Sequence, residues 1–255
     1  MFPEIPEADA TGEIAAYYSK IRAGTGVPVV NFVWRHLATI DGALAFAWPA
    51  VEKTAPLIYE RAPEVGDAAQ AALAASGLSN LGLGTEWPDG VQRVVAAYNV
   101  GNGWNFLSMT LLAALRAGAS APRAGQMASV DPIAPVPPFP AYGGLAPDLR
   151  AAIDRLAAAG PGGASGVRPS LWVHLAVWPE VLRAVADATV PILASPTFGA
   201  AYAAFFDRGA ALLGVAAPPP TEVASEGEAP IDRAIRLFRL RIAEMVLFGH
   251  LLVRR

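Results

Sequence analysis

The sequence WRHLATIDGAL at residues 34–44 recurs at residues 172–182 as WVHLAVWPEVL, an offset of 138 positions. Five of the eleven aligned positions are identical, and each copy lies at a similar place in its half of the chain. Such self-similarity indicates a duplicated unit, in which two similar halves bury their apolar faces against each other. The repeat therefore predicts an internal pseudo-dimer, and a cleft between the halves is the first place to expect a binding site.

Composition favours a folded protein and excludes several classes of function. Hydrophobic residues make up 54% of the chain and charged residues only 16%, which argues against disorder. The net charge of −3 and the scattered basic residues argue against nucleic-acid binding. The absence of cysteine excludes disulfides, thiolate catalysis and iron–sulfur clusters. No apolar run suits a membrane span and no signal peptide is evident, so we expect a cytoplasmic bacterial protein with no membrane partner.

Apolar residues recur at helical spacing along most of the chain, and no segment alternates as a strand does. Residues 11–22, for example, begin with a capping threonine and place apolar side chains at i, i+3, i+4 and i+7. Further helices are predicted at residues 28–40, 42–59, 65–75, 91–117, 146–156, 172–182 and 231–253, and residues 191–213 are predicted to form one or two more. The predicted fold class is therefore all-α, with Gly101 and Gly103 interrupting the helix at 91–117.

A change of composition near the middle of the chain divides it into parts. The stretch from residue 118 to 147 is rich in alanine, proline, glycine and serine, and its prolines favour an extended backbone. Its apolar side chains favour an ordered linker over a flexible tether. We therefore predict a first helical repeat at residues 1–116, a linker at 117–146 and a second helical repeat at 147–255.

The segment from Tyr98 to Asn105 is the most unusual polar stretch in the sequence. Asparagine and glycine are poor helix formers, yet here they lie within an otherwise apolar helix. The corresponding segment of the second half is apolar at this point and pairs Ile242 with Asn102. This difference indicates local specialisation at Asn102. The alternative is that the glycines allow close helix packing while the asparagines hydrogen-bond to the backbone.

Two histidines, His36 and His174, lie in the repeated segment. Histidine is the usual general base and metal ligand. Equally, a histidine beside leucine and tryptophan is commonly a hydrogen-bonded core residue, and its repetition shows only common ancestry. The sequence has neither a His-Glu-x-x-His motif nor a glycine loop in a nucleotide-binding setting, so we expect no metal and no organic cofactor.

Several aromatic residues are candidates to line a pocket. Tryptophans such as Trp34 and Trp172 are more often core anchors than substrate platforms. A pocket walled by aromatic rings would nevertheless suit a small, partly apolar ligand. We therefore include Trp34, Trp172 and Tyr98 among the candidate substrate-binding residues.

Segments along most of the chain resemble the group I 2-haloacid dehalogenases, cofactor-independent enzymes that act on D- or on both D- and L-2-haloacids. The segments are residues 26–32, 37–39, 45–48, 98–102 and 170–179. The resemblance implies an all-helical fold of two tandem repeats, with the active site in a channel between them. In that family an aspartate of the second repeat activates water for direct attack on the halogen-bearing carbon, without a covalent intermediate.

Three residues of the family's site carry over to this sequence. The resemblance implies that Asn102 holds the water or the substrate, that Phe32 is a pocket aromatic and that Ser170 binds the substrate carboxylate. The essential aspartate should directly follow Ser170, but Leu171 stands in its place. A leucine cannot activate water. A second pocket aromatic is replaced by Val29.

Two interpretations follow from the loss of the aspartate. The first is a re-tooled hydrolase acting on a small organic acid, in which His174 lies one turn beyond Leu171 and replaces the base. His36 would approach the same cavity from the other half. The second is a non-catalytic relative that binds a small molecule, with Leu171 lining an apolar pocket. The expected partner is a small-molecule substrate or ligand. The sequence is also compatible with a homodimer.

Overall fold

The computed structural model describes residues 2–79, 81, 83, 87–123, 125, 132–219 and 227–252. These residues form α-helices and short 3₁₀ turns, with no strand among them, as the sequence predicts. The helices are α1 (Gly12–Thr25), α2 (Phe32–Leu37), α3 (Ala43–Ala75), α4 (Asp89–Arg116), α5 (Pro147–Ala158), α6 (Ser170–Leu175), α7 (Pro179–Leu193), α8 (Pro196–Ala210) and α9 (Pro230–Leu252). In this described part, no single helix is long and apolar enough to cross a membrane. Only α7 together with α8 and the 3₁₀ turn that follows it would be, and this pair is bent by 82°.

Helix α3 is longer than its sequence suggests. Prolines at 49, 56 and 63 lie inside it, and the sequence predicts an interruption between residues 59 and 65. The prolines are seven residues apart, close to two helical turns, so they fall on one side of the helix. That side is exposed or half-exposed, whereas Val51, Ile58 and Val65 are buried. Packing of the opposite face against the core therefore maintains a helix that its prolines alone would weaken.

Helix α4 continues through the asparagine and glycine segment. The predicted interruption at Gly101 and Gly103 does not occur, and the helix is almost entirely buried from Gly101 to Leu112. A Cβ atom on Gly101 would lie 3.3 Å from the side-chain oxygen and nitrogen of Asn31. Gly101 thus permits a close approach that a larger residue would crowd. This supports the packing interpretation of that glycine.

The centre of the molecule is formed by α4 and α9, which pack along each other. Helix α3 packs against α4, α8 and α9, and α5 packs against α7. The order of helices is similar in the two halves: α2 and α6 are both six residues long, and each follows a longer helix. The internal repeat with its boundaries at 116 and 147 stays a prediction.

The described part of the proline-rich segment contacts both halves. The Ile133 backbone N–H donates to the Gly26 carbonyl at 2.8 Å. Further along, the Pro137 carbonyl accepts a hydrogen bond from His174 at 2.8 Å, and the Phe139 ring meets the same imidazole edge-on. Residues 124 and 126–131 of the predicted linker lie outside the described residues. Residues 135–139, 141 and 142 of this segment line the larger of the two spaces described below.

Candidate functional site

A small cavity of about 40 Å³ lies where α2, α4, α6 and α9 meet. Both halves of the chain build its wall. The described lining residues are Asn31, Phe32, Val33, Tyr98, Asn102, Asn105, Val167, Pro169, Ser170, Leu171, Phe238, Arg241, Ile242 and Met245. We call this space the inner cavity. Since about 10–15 Å³ of such volume holds one water molecule, the inner cavity has room for roughly three waters.

A larger space of about 1010 Å³, the outer cleft, adjoins the inner cavity. The two share Phe32 and Ser170, so these residues mark the boundary between them. The described lining residues of the outer cleft are Phe2, Glu4, Pro6, Glu7, Ala8, Pro28, Val29, Phe32, Arg35, Pro135, Val136, Pro137, Pro138, Phe139, Ala141, Tyr142, Gly166, Arg168, Ser170 and Val173. The wall of the outer cleft is therefore formed by the N-terminal segment, the residues between α1 and α2, the proline-rich segment and the start of α6.

Asn102 presents a hydrogen-bond donor at the inner cavity. The residue is 6% exposed, and its Nδ2 atom is buried without a hydrogen-bond partner among the described residues. A buried, unpaired donor of this kind costs about 1–3 kcal/mol, a cost that an acceptor in the cavity would remove. One turn further along α4, Asn105 accepts a hydrogen bond from the Trp34 indole at 2.8 Å, which fixes the Asn105 oxygen.

Ser170 lies beside a buried arginine. The Nη2 atom of Arg35 is 3.4 Å from the Ser170 hydroxyl. The same guanidinium donates to the Glu4 carboxylate at 2.6 Å and to the Val30 carbonyl at 2.7 Å, so its position is fixed from two further directions. Hydroxyl and guanidinium groups together suit the recognition of a carboxylate. Arg35 was not among the residues that the sequence indicated, because its burial depends on packing around α2.

Tyr98 and His174 form a buried polar pair behind the inner cavity. The His174 Nε2 atom is 2.8 Å from the Pro137 carbonyl, which can only accept, so Nε2 carries the proton and donates. Nδ1 is then an acceptor, 3.4 Å from the Tyr98 hydroxyl. Burial lowers the pKa of His174, and the hydrogen bond to Pro137 partly opposes this. Burial also raises the pKa of Tyr98. Both residues are therefore neutral near pH 7.

His36 packs behind aromatic residues that line the two spaces. Its Nδ1 atom is 2.7 Å from the Pro3 carbonyl, and its ring stacks against Phe238 with a centroid separation of 5.4 Å. Burial lowers the pKa of His36, while the Pro3 carbonyl and the nearby Glu4 charge act in the opposite direction. Neither His36 nor His174 is among the described residues that line the inner cavity or the outer cleft. Both imidazoles instead contact backbone carbonyls and aromatic rings next to the two spaces.

The two candidate tryptophans are fully buried. Trp34 supports the cavity indirectly through its hydrogen bond to Asn105, and it packs edge-on against Trp48. Trp172 packs edge-on against Phe248 and lies beneath the Arg241 guanidinium. In the described part of the chain neither indole lines the cavities. Of the aromatic candidates, Phe32 and Tyr98 form the wall, and the tryptophans lie behind it.

Leu171 lies on the wall of the inner cavity and is only 1% exposed. Among the described lining residues there is no aspartate, glutamate or histidine. The polar groups on that wall are asparagine amides, the Ser170 hydroxyl, the Tyr98 phenol and the Arg241 guanidinium. Such a wall can donate and accept hydrogen bonds, but it lacks a side chain suited to removing a proton from water.

A buried ion pair supports the cavity from α9. The Arg241 guanidinium donates to the Glu244 carboxylate at 2.6 Å, and Glu244 also accepts from the Gly162 backbone N–H at 2.6 Å. Burial raises the pKa of Glu244, and the charge of Arg241 opposes this. Sequence reasoning missed the pair, although an arginine and a glutamate three residues apart on an apolar helix were a usable signal.

Within the described chain, no group of three or more histidine, cysteine, aspartate or glutamate residues is arranged to hold a metal ion.

The helical fold described above is that of solved D-2-haloacid dehalogenase structures. A solved structure of a D-2-haloacid dehalogenase mutant aligns over 98% of this chain and 94% of its own, with 17% identity and a TM-score of 0.79. A mutant in complex with D-2-CPA gives 18% identity over the same shares of the two chains, with a TM-score of 0.72. The enzyme in complex with L-LA gives 17% identity over 98% and 95%, with a TM-score of 0.74.

At such low identity these comparisons establish the shared fold. No protein-family model matches the sequence, and no curated protein matches it either. The all-helical architecture that the resemblance implied is thus confirmed by solved structures, while the chemistry depends on the residues of this chain.

Proposed function

We propose that this protein binds a small organic carboxylic acid in the inner cavity and does not hydrolyse it by the water-activation route of the dehalogenases. The observation that carries the proposal is the composition of the cavity wall. It offers hydrogen-bond donors, yet no carboxylate or imidazole is found among its described residues. Direct hydrolysis needs a group that removes a proton from the attacking water.

Recognition of an acid is supported by groups at the boundary of the two spaces. The Asn102 amide lacks a partner among the described atoms, and Ser170 lies next to the Arg35 guanidinium. Charge-assisted hydrogen bonds from such groups favour a carboxylate over a neutral ligand. The similar structures solved with D-2-CPA and L-LA are consistent with a small ligand in this fold.

A re-tooled hydrolase is the second candidate, and the contact between Tyr98 and His174 favours it. The Tyr98 phenol lines the inner cavity, and the His174 Nδ1 atom behind it could accept a proton. The raised pKa of Tyr98 and the lowered pKa of His174 both oppose charge separation between them. Binding without hydrolysis is therefore the better-supported function.

Calorimetric titration with each enantiomer of 2-chloropropionate, with chloride measured in the same samples, tests the proposal. We expect saturable binding without chloride release. Asn102→Ala should weaken binding by about tenfold or more, since a hydrogen bond to a charged group contributes about 1.5–3 kcal/mol. Asn99→Ala is the matched control on the same helix, because Asn99 is not among the described lining residues and instead donates to the Gly249 carbonyl.

Two outcomes would contradict the proposal. Absence of binding at millimolar acid would refute an acid-binding site. Chloride release by the natural protein that is lost in both Tyr98→Phe and His174→Ala would establish the hydrolase instead.

A further inference from the structure

The outer cleft is far larger than a short haloacid requires. Its volume of about 1010 Å³ lies at the upper end of the roughly 300–1,000 Å³ common for small-molecule sites. Phe32 and Ser170 line both this cleft and the inner cavity. A ligand group held at Ser170 is therefore next to the outer cleft, where a longer ligand could place its remaining atoms.

The wall of the outer cleft is mostly proline and aromatic. The apolar groups on it are Phe2, Pro6, Pro28, Val29, Phe32, Pro135, Val136, Pro137, Pro138, Phe139, Tyr142 and Val173. Phe139 is 38% exposed, so part of this apolar surface faces solvent. Burial of such surface by an apolar ligand group is favourable in proportion to the area removed from water.

The charged side chains of the cleft are already paired with one another or with neighbours. Glu4 pairs with Arg35, Glu7 with Arg22, and Arg168 with Asp154. Arg168 also lies over the Tyr142 ring, 3.8 Å from its centroid. Since these charges compensate each other, the cleft favours an apolar ligand group over a highly charged one such as a phosphate ester.

Arg35, whose charge is paired with Glu4, still offers N–H donors beside Ser170. A guanidinium has five N–H groups, and in the described structure Arg35 makes three hydrogen bonds, to Glu4, Val30 and Ser170. Two N–H groups are left for a ligand. The contact to Ser170 is long, at 3.4 Å, so a carboxylate oxygen accepting from both residues would satisfy them better than they satisfy each other.

We propose that the ligand is an acid with an extended apolar tail, of the medium-chain or arylalkanoic class. Its carboxylate lies at Ser170 and Arg35, and its tail lies in the outer cleft against the proline-rich segment. This inference rests on the proposed acid-binding function and adds the ligand's size and shape. It predicts that the affinity increases with the length of the tail. Binding confined to the inner cavity predicts no such increase.

A homologous series of acids tests the inference by calorimetry on the natural protein. Propionate, butyrate, hexanoate, octanoate and 3-phenylpropionate are titrated under identical conditions. We expect the Kd to fall by up to about fourfold for each added methylene, following the transfer free energy of a buried CH₂ group. Constant affinity along the series would overturn the inference, while binding of the short acids would leave the proposed function intact. If none of the acids binds, both fail.

Two tryptophan variants locate the tail. Val29→Trp places an indole on the cleft wall and should abolish most of the gain in affinity with chain length. Val177→Trp is the control, because Val177 is 38% exposed and is not among the described residues lining either space. Circular dichroism and thermal unfolding establish that both variants fold. Unchanged octanoate binding by folded Val29→Trp would show that the tail lies elsewhere.

Discussion

Leu171 places an apolar side chain among groups that form hydrogen bonds. It follows Ser170 at the start of α6 and is almost completely buried. The Asn102 amide and the Ser170 hydroxyl remain on the same cavity wall. If this wall holds an acid as we propose, a carboxylate at position 171 is the single change that would add a group able to activate water.

Leu171→Asp is expected to confer slow chloride release from 2-chloropropionate. The new carboxylate would lie in an apolar environment, which raises its pKa and keeps part of it protonated near neutral pH. The rate should therefore increase as the pH is raised from 7 to about 9. An ion-selective electrode measures the release.

Asn102→Ala in the Leu171→Asp background controls for a non-specific effect. The double variant should lose the gained activity, because Asn102 would no longer hold the water or the substrate. Equal activity in the single and double variants would show that Asn102 is not part of the site.

His174 should make stability depend on pH between about 7 and 5. Burial lowers its pKa in the folded state below the ordinary value of 6.5, so the unfolded chain takes up a proton first as the pH falls. Its contribution to stability is therefore present above pH 6.5 and is lost as the pH falls below that value. His36 acts in the same direction.

Urea unfolding at pH 7.5 and pH 5.5 measures this dependence. His174→Gln should show a smaller loss of unfolding free energy between the two pH values than the natural protein, with the remainder due to His36. His174→Ala should lower the free energy of unfolding by about 2–4 kcal/mol at pH 7.5, because it leaves a cavity and an unpaired Pro137 carbonyl. An identical pH dependence in His174→Gln would contradict a buried neutral imidazole.

The site residues divide into those that a local pattern reveals and those that only packing reveals. Asn102 stands opposite an apolar residue in the sequence alignment of the two halves, and Ser170 adjoins the position where the resemblance implies an aspartate, so sequence indicates both. His36 and His174 recur in the aligned segments, and recurrence alone does not show whether a ring faces a cavity. Arg241 lines the inner cavity and pairs with Glu244, and the close approach of Gly162 to both is a tertiary contact that the sequence does not reveal.

At the scale of helices, α8 connects the two halves through close contacts. It packs against α3 and α4, and its Phe205 and Phe206 rings meet Phe106 of α4 at centroid separations of 5.2 and 5.5 Å. Gly209 makes this approach possible, because a Cβ there would be 2.8 Å from a Phe106 ring carbon. The ring is fully buried and has little room to move.

Gly209→Ala and Gly199→Ala should have opposite effects on stability. Both change a glycine within α8, but a Cβ at Gly199 meets no atom of the described chain within 4 Å. We expect Gly209→Ala to destabilise the protein by about 1–3 kcal/mol through overpacking. Gly199→Ala should stabilise it by up to about 1 kcal/mol through helix propensity. Denaturant titration measures both, and equal effects would contradict the close contact of α8 with α4.

Helix existence is predicted well from this sequence, and helix continuity is not. The helix predicted at residues 11–22 is α1, which ends where Gly26 adopts a positive φ of 64°. By contrast, α3 and α4 run through prolines and glycines that locally favour a break. Their continuity comes from tertiary burial, which local propensity does not include.

At the scale of the whole molecule, the inner cavity exists because two halves meet. Asn102 comes from the first half and Ser170 from the second, and neither half alone encloses the space. If the halves are duplicated units, α1 to α4 should superimpose on α5 to α9 with α2 on α6. Superposition of the halves of an experimental structure measures this, and non-equivalent positions of Trp34 and Trp172 would refute the repeat.

The central claim is that the cavity holds an intact acid. A crystal structure of the natural protein grown with 2-chloropropionate tests it most directly, because anomalous scattering locates the chlorine atom. We predict an intact molecule with its carboxylate at Ser170 and Arg35 and its chlorine within the inner cavity near Leu171. Density for the dechlorinated hydroxy acid, or an acid bound away from Asn102 and Ser170, would contradict the claim.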